Sequence, residues 1–262
     1  MNNELESKFL NEYKTLKVIK ENENITISII QIKNKPYFLK ESKSFKNIDT
    51  QLLRNEAKAL TKLISYKYIP QILYYKFDKD KCCIVTKFIN GSNLAYLNKS
   101  TNLKIKEKIL IFLKILDVVD TVHQFNIIHC DLKPGNIIID KENNIYIVDF
   151  GISTIENVNK FNEYGTLKYC SAEQIKKEKL TAKTDLYSLG IILYEMIFKK
   201  LPFDGEKTEI INKKINCIYR KSSDQDLNNI FEKIFNYNNE ENLYQNISDL
   251  KIDIEKLLNK YK

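Results

Sequence analysis

The first 90 residues of this 262-residue chain contain no glycine, and its six glycines begin only at Gly91. Long apolar runs are also missing, because none approaches the roughly 18 residues that a membrane-spanning helix needs. No proline- or serine-rich linker and no internal repeat divides the chain. Residues 1–6 are acidic and lack the apolar core of a signal peptide. We therefore expect one cytoplasmic unit, or one in a host cytosol if the protein is exported by other means.

Arginine is scarce, since Arg54 and Arg220 are the only two in the chain. The net charge of +8 thus comes from lysines, which are abundant throughout. No basic cluster is interleaved with aromatic side chains, so the charge does not predict nucleic-acid binding. We expect neither a nucleic acid nor a membrane as a partner, and the sequence leaves the oligomeric state open.

Cysteine is present, but not in a pattern that predicts a structural role. The five cysteines are an odd number, and no pair has the spacing of a metal site. Cys82 and Cys83 are neighbours, whereas the other three are scattered. This distribution predicts reduced thiols rather than a disulfide framework.

The hydrophobic pattern changes along the chain. A hydrophobic fraction of 43% is enough for a packed core and excludes a disordered chain. Ile25, Ile27 and Ile29 alternate with polar residues, which is the period of a half-buried strand. The same reasoning predicts strands over residues 36–41, 72–77 and 82–88 and a helix over 50–64. After Gly91 the spacing is helical, with helices predicted over residues 105–124, 182–198, 226–235 and 247–261.

Two short motifs carry residues suited to chemistry. Residues 128–136 read Ile-His-Cys-Asp-Leu-Lys-Pro-Gly-Asn, so Asp131, Lys133 and Asn136 lie within six positions. The second motif is Asp149-Phe150-Gly151, which supplies another carboxylate. Phosphoryl transfer needs positioned charge and metal ligands rather than covalent catalysis, and these residue types supply both.

Together the motifs resemble the catalytic loop and magnesium loop of the eukaryotic-type (Hanks-type) Ser/Thr protein kinase family. The resemblance covers the whole chain. It implies an α+β, bilobal protein-kinase-like fold, with a small antiparallel-sheet N-lobe containing one main helix and a larger helical C-lobe. A single kinase domain would span residues 1–262, with lobes of about 1–89 and 90–262. ATP, Mg²⁺ (or Mn²⁺ in its place) and a protein substrate with a Ser or Thr acceptor are also implied.

The resemblance implies catalytic roles for four residues. Asp131 would accept the proton of the substrate hydroxyl or orient that group, and Lys133 would stabilise the γ-phosphate during transfer. Lys40, at the end of an apolar strand, would contact the α- and β-phosphates of ATP. Glu56, on the following helix, would pair with Lys40 and point it at the nucleotide.

Further residues match the positions that bind the metal and the adenine. Asn136 and Asp149 would hold magnesium ions. Thr86 falls at the position guarding the rear of the adenine pocket. Lys87 would offer its backbone carbonyl to adenine, and Ile89 its amide and carbonyl.

A third segment, residues 165–173, resembles the substrate-docking loop of the family. Within it, Thr166 matches a threonine of Ser/Thr-specific members, and with Lys133 it disfavours tyrosine specificity. Asp185 matches the buried aspartate that anchors the catalytic loop. His129 and the other histidine, His123, match structural positions rather than acid–base groups.

Two departures from the family concern the nucleotide. The phosphate-covering loop should lie near residues 20–24, where no glycine is present. Glycine lets a backbone approach phosphate closely, whereas Glu21 and Glu23 would repel phosphate if they pointed inward. Phe38 also stands where the family usually has alanine over the adenine. We therefore predict weaker ATP binding than in kinases with a glycine-rich loop.

Other departures concern regulation. Cys130 replaces the arginine that usually precedes the catalytic aspartate, giving a His-Cys-Asp loop without a receptor for activation-loop phosphate. Glu173 is retained, but the arginine it would pair with is replaced by Asn242 or Leu243. These changes predict activity that does not require activation-loop phosphorylation.

Three functions fit this pattern. An active Ser/Thr protein kinase is favoured because every charged group that would touch phosphate, metal or hydroxyl is present. A pseudokinase, acting as a nucleotide-binding or scaffolding module, is suggested by the missing glycines and Phe38. A small-molecule kinase of related fold would share the spacing of Asp131 and Asn136, but Lys133-Pro134 and residues 165–173 favour a protein substrate.

Overall fold

The computed structural model of the chain describes residues 13–155, 166–236 and 239–261. The chain divides into two compact units. The first contains Met1–Asn90 and Val148–Gly151, and the second contains Gly91–Ile147 and Ile152–Lys262. In the described ranges no helix has both the length and the apolar character needed to span a bilayer.

An antiparallel sheet dominates the described part of the first unit, with strand order β1-β2-β3-β5-β4. Its strands are β1 (Lys14–Glu21), β2 (Ile25–Ile32), β3 (Lys35–Ser42), β4 (Ile72–Phe77) and β5 (Cys82–Lys87). The predicted strands over residues 36–41, 72–77 and 82–88 therefore agree with the structure to within one residue at each end. The register places Lys40 of β3 between Ile27 and Ile84 of the neighbouring strands.

One helix, α1 (Ile48–Lys62), follows the first three strands. It begins two residues before the predicted start because the side chain of Asn47 caps it, accepting a hydrogen bond from the Thr50 amide at 2.8 Å. Leu53 and Leu60 are buried on the same face as Glu56. This amphipathic face fixes the helix and carries Glu56 inward with it.

The turn between β1 and β2 contains only residues 22–24. The Asn22 side chain closes it, with Oδ1 accepting hydrogen bonds from the amides of Asn24 and Ile25, both at 2.9 Å. None of the three residues has a positive φ, so the turn does not require glycine. The Glu21 carboxylate lies 3.0 Å from Nζ of Lys43, which offsets its charge.

The second unit is mainly helical. Its helices within the described residues are α2 (Leu94–Ser100), α3 (Ile105–Gln124), α4 (Ala172–Lys176), α5 (Ala182–Phe198), α6 (Lys207–Ile215), α7 (Gln225–Phe235) and α8 (Ile247–Lys260). Short strands complete it: β6 (Gly91–Asn93), β7 (Ile127–Ile128), β8 (Ile137–Asp140), β9 (Ile145–Ile147) and β10 (Thr154–Ile155). Strands β6, β8 and β9 form one small sheet, and β7 pairs with β10.

Helix α5 lies in the core of this unit, as its apolar sequence predicts. Its limits match the prediction, and most of its side chains are buried. Gly190 permits a close approach of α7, because a Cβ there would lie 2.5 Å from Cγ2 of Ile234. The packing holds Asp185, in the first turn of α5, fully buried.

Candidate active site

The first unit brings together one lysine and two carboxylates. Nζ of Lys40 lies 2.9 and 2.7 Å from the two carboxylate oxygens of Glu56, and 2.8 Å from Oδ1 of Asp149. Lys40 and Glu56 are buried, whereas the Asp149 side chain is about half exposed. The predicted Lys40–Glu56 pair is therefore formed, and it is shared with the carboxylate of the Asp-Phe-Gly motif.

The ion pairs among Lys40, Glu56 and Asp149 offset the desolvation cost of burying charged groups. Burial alone would lower the pKa of Lys40, but the neighbouring Glu56 and Asp149 raise it above its ordinary value. Burial raises the pKa of Glu56, while Lys40 acts in the opposite direction. Lys40 thus stays protonated at neutral pH.

Residues predicted to surround adenine lie on β3 and β5. Phe38 is directly opposite Thr86 in the antiparallel ladder, so the two side chains share one face of the sheet. Thr86 is buried, and the amide of Lys87 donates to the Gln71 carbonyl at 2.9 Å. Ile89 follows the end of β5. Phe38 therefore lies on the sheet face that also carries Lys40.

In the second unit, the carboxylate of Asp131 is held on both sides. Its Oδ2 lies 2.5 Å from Nζ of Lys133 and accepts from Nδ2 of Asn136 at 3.1 Å. Its Oδ1 accepts from the amide of Thr166 at 3.3 Å and from the Thr166 hydroxyl at 3.4 Å. Lys133 also donates to that hydroxyl at 3.0 Å. Asp131, Lys133 and Thr166 thus form one connected group; Gly165, the predicted start of the docking loop, lies outside the described residues.

The amide of Asn136 is oriented by its neighbours. Its Nδ2 donates to the backbone carbonyl and to the carboxylate of Asp131, at 2.9 and 3.1 Å. The amide oxygen of Asn136, Oδ1, is the atom that can bind a hard cation. Among the described residues, no group of three or more His, Cys, Asp or Glu side chains could hold a metal. The Asn136 amide oxygen is a hard ligand of the class that divalent cations such as Mg²⁺ and Ca²⁺ prefer.

The Asp185 carboxylate holds the backbone of residues 129 and 130, just before Asp131. Its carboxylate accepts from the amides of His129 and Cys130 at 2.8 and 2.9 Å, and Oδ2 lies 2.8 Å from Nε2 of His123. Burial alone would raise the pKa of Asp185, but these hydrogen bonds hold it below its ordinary value. Cys130 has a φ of 66°, a left-handed backbone that the anchoring stabilises.

Cys130 is expected to be unreactive in the native protein. The residue is buried, and both burial and the charge of Asp185 raise the pKa of its thiol well above the ordinary value. Iodoacetamide at neutral pH should therefore modify Cys130 only after unfolding, and should reach the half-buried Cys217 first. Peptide mass spectrometry after timed labelling measures this order. Native Cys130 labelled as fast as Cys217 would contradict the expectation.

Two side-chain amides support the site and were not predicted. Nδ2 of Asn55, on α1, donates to the Gly151 carbonyl at 2.9 Å. Nε2 of Gln174, on α4, donates to the Cys130 carbonyl at 2.8 Å, while its Oε1 accepts from the Ser171 amide. The Ser-x-x-Gln spacing of a capping box marks Gln174 in the sequence, but no local pattern marks Asn55.

A buried lysine, Lys214, supports the segment that follows Thr166. It lies on α6, is fully buried, and donates to the Cys170 carbonyl at 2.6 Å. Burial lowers its pKa to about 7, against which Cys170 and Glu173 act weakly. Its burial was not predicted, because a lysine on a polar helix is usually exposed.

Replacing Lys214 with methionine is expected to change how stability depends on pH. Between pH 7 and the unfolded value of 10.5, unfolding of the wild type takes up a proton at Lys214. The stability of the wild type relative to Lys214→Met should therefore rise with pH, by about 1 kcal/mol per unit. Urea denaturation at pH 7.5 and 9.5 measures the slope, with Lys207→Met on the same helix as the control for loss of one charge. If the stability difference between the wild type and Lys214→Met were the same at both pH values, the lowered pKa of Lys214 would be wrong.

Comparison with known proteins agrees with this geometry. The sequence model described as protein kinase domain matches residues 6–261. The chain is 34% identical over 133 residues to the probable serine/threonine-protein kinase PknB of Lactococcus lactis, covering 49% of this chain and 21% of that protein. It is 35% identical over 160 residues to serine/threonine-protein kinase PrkC of Bacillus subtilis, covering 58% and 24%. A probable serine/threonine-protein kinase of Dictyostelium discoideum is 29% identical over 162 residues, covering 60% and 36%.

The matched segments thus span between 21% and 36% of the length of these relatives. The family match itself covers nearly the whole chain and confirms the predicted α+β, protein-kinase-like fold. It agrees with a sheet-rich first unit and a helical second unit. The chain therefore belongs to the protein kinase domain family.

Proposed function

We propose that this chain is an active Ser/Thr protein kinase, which transfers the γ-phosphoryl group of ATP to a serine or threonine hydroxyl of a protein. The observation that carries the proposal is the connected group of Asp131, Lys133 and Thr166. It places a carboxylate, an ammonium and a hydroxyl within hydrogen-bond distance of one another in a loop with the composition of a phosphoryl-transfer site. The names of the relatives from Lactococcus lactis and Bacillus subtilis support the Ser/Thr assignment.

Each residue of this group has a distinct role in the proposal. Asp131 orients the acceptor hydroxyl and takes its proton as the bond to phosphorus forms. Lys133 offsets the negative charge of the phosphoryl group during its transfer. Thr166 holds the side chains of Asp131 and Lys133 in place. The His-Cys-Asp loop performs this role without arginine, because Asp185 and Gln174 already fix the amide and the carbonyl of Cys130, the residue before Asp131.

The same proposal assigns the nucleotide and metal ligands. Lys40, held by Glu56, contacts the α- and β-phosphates, while Thr86, Lys87 and Ile89 surround adenine. Asn136 and Asp149 each supply an oxygen ligand to Mg²⁺, or to Mn²⁺ in its place. A metal held by Asn136 and Asp149 would supply positive charge that offsets the negative charge of the phosphates.

The extent of the domain and its surroundings are part of the proposal. A single kinase domain occupies residues 1–262, and the boundary between its two lobes lies near residues 89–90 of the sequence. Its substrate is a protein, its setting is the cytoplasm, and neither a nucleic acid nor a membrane is a partner. The absence of a basic, aromatic-rich cluster in the sequence supports the exclusion of nucleic acid.

Labelled ATP tests the proposal directly. The purified chain is incubated with γ-labelled ATP, Mg²⁺ and a generic basic protein, with an EDTA-treated sample as the control. Label should appear on the protein only when the metal is present, and acid hydrolysis should release it as phosphoserine or phosphothreonine. Nucleotide binding without transfer would instead indicate a pseudokinase, and transfer only to a small molecule would indicate the small-molecule kinase.

A further inference from the structure

The first unit contains a contact between α1 and the Asp-Phe-Gly motif that the proposed function does not use. Nδ2 of Asn55, on α1, donates a hydrogen bond to the backbone carbonyl of Gly151 at 2.9 Å. Leu52, one turn earlier on the helix, lies beside Gly151, since a Cβ built there would be 3.6 Å from Cβ of Leu52. Phe150, the middle residue of the motif, is fully buried. The end of the motif is therefore attached to the helix by packing and by a directed hydrogen bond.

Glu56, the next residue on the helix, is connected to the start of the same motif through Lys40. Its carboxylate lies 2.7 Å from Nζ of Lys40, and that nitrogen lies 2.8 Å from Oδ1 of Asp149. Lys40 therefore holds the carboxylate of Asp149, while Asn55 holds the backbone two residues further along the chain. These contacts form a closed ring that begins and ends on α1, and all of its members belong to one compact unit.

The backbone of Asp149 needs such support. Its φ is 71°, in the left-handed region that residues other than glycine seldom occupy. A backbone in this region persists only where the surrounding contacts hold it. The bond from Asn55 to the main chain of Gly151 restricts the backbone itself, which an ion pair through the flexible side chain of Lys40 does not do on its own.

The position of Asn55 within α1 agrees with a role outside the helix. The residue lies in the middle of Ile48–Lys62, at neither cap. Asparagine is a weak helix former, because its side chain competes for backbone hydrogen bonds. Asn55 is half-buried, and its Nδ2 reaches a carbonyl of another segment. The contact with Gly151 thus gives a reason for an amide at a position where the helix gains nothing from one.

We propose that Asn55 is a positioning residue, which holds the main chain of the Asp-Phe-Gly motif so that Asp149 is oriented to bind a divalent cation. The inference rests on the proposed function, because it takes Asp149 as a metal ligand. Asn55 acts through Gly151, in the way that residues behind a metal ligand set the affinity of a site. Because Asn55 and Glu56 are neighbours, one helix orients both the metal ligand and Lys40.

Calorimetry with a non-hydrolysable ATP analogue tests the inference without turnover. The affinity for the analogue is measured at saturating Mn²⁺ and in EDTA, and the ratio of the two affinities gives the contribution of the metal. Asn55→Leu removes the donor at a similar volume, so this ratio should fall about tenfold while the affinity in EDTA stays the same. Asn55→Gln keeps an amide donor on a longer side chain and should recover part of the ratio.

Gln51→Leu is the matched control. Gln51 is exposed on the same helix, so loss of its amide should leave the contribution of the metal unchanged. Urea denaturation of each variant measures its stability. A merely structural role of Asn55 predicts that Asn55→Leu weakens binding equally with and without Mn²⁺, and that result would contradict the proposal.

Initial rates at increasing Mg²⁺ give a second measurement. The apparent KM for Mg²⁺ should rise in Asn55→Leu, whereas the rate at saturating Mg²⁺ should be largely retained. An equal contribution of the metal in the wild type and in Asn55→Leu would overturn the inference. If the wild type bound the analogue with metal but transferred no phosphate, the proposed kinase activity alone would be wrong, and the affinity ratios would still decide the role of Asn55. Absence of any contribution of the metal in the wild type would overturn both.

Discussion

Asp131→Asn is expected to lower the rate of phosphoryl transfer by about a thousandfold. Both carboxylate oxygens accept hydrogen bonds, Oδ2 from Lys133 and Asn136 and Oδ1 from Thr166. An amide has only one acceptor oxygen, so its NH₂ group must face donors on one side or the other. The variant also loses the group that would take the proton of the acceptor hydroxyl. Initial rates with labelled ATP and a basic protein measure the effect.

The control for this variant is Asp117→Asn. Asp117 is also in the second unit, but it is exposed and pairs with Lys251 at 2.6 Å on the surface. The same chemical change there should leave the rate unaltered. Urea denaturation of both variants separates loss of catalysis from loss of fold. If Asp131→Asn kept more than about a tenth of the wild-type rate, the role assigned to this carboxylate as base would be wrong.

Lys40→Met should have the second large effect, on both activity and stability. The substitution removes a cation that two carboxylates share, and it leaves Glu56 buried without a partner. Removing one partner of a buried ion pair costs about 3 kcal/mol or more. Loss of a positioned donor to phosphate should lower the transfer rate by about 100- to 1,000-fold. Denaturant titration and initial rates measure the two effects separately.

The pH dependence of Lys40→Met identifies the cause of its instability. Burial and Asp149 both raise the pKa of Glu56, and only Lys40 opposes them substantially. The pKa of Glu56 is already raised above its ordinary value in the wild type, and removing Lys40 raises it further, so the folded variant binds more protons than the folded wild type in the pH window between those two folded values. The stability deficit should therefore grow as the pH rises through this window. Lys40→Met combined with Glu56→Gln should recover most of the stability and none of the activity, whereas a deficit unchanged by Glu56→Gln would contradict this account.

Long, strongly patterned elements were predictable from the sequence. The limits of α5 (Ala182–Phe198) match the prediction because its residues are apolar almost all round, and those of β4 (Ile72–Phe77) match because turn residues bound it. Helices α2 (Leu94–Ser100) and α6 (Lys207–Ile215) were not predicted, since they are short and largely polar. Stability for such helices comes from the surfaces on which they pack rather than from their own sequence.

The site residues divide in the same way, into those marked by the local sequence and those placed by tertiary packing. Residues in the two motifs were identified because they are close in sequence, and the Lys40–Glu56 contact because the family resemblance implied it. Supporting contacts such as Gln174 with Cys130, and Lys214 with Cys170, join residues 44 positions apart. Their side chains have no local signature of burial, because only tertiary packing removes them from water. The functional roles assigned to the site residues remain predictions that the variants above test.

The glycine-free turn at residues 22–24 has a consequence for dynamics. Glycine loses more backbone entropy on ordering than any other residue, whereas this turn is already closed by the Asn22 side chain and tied to Lys43, whose amide donates to the Asn24 carbonyl at 2.8 Å. The hydrogen-bonded amides of Asn22 and Asn24 should therefore change little in deuterium exchange when ATP is added. Under the proposed function such a turn would be a preformed edge of the nucleotide site, and ATP binding would incur little entropic penalty from ordering it.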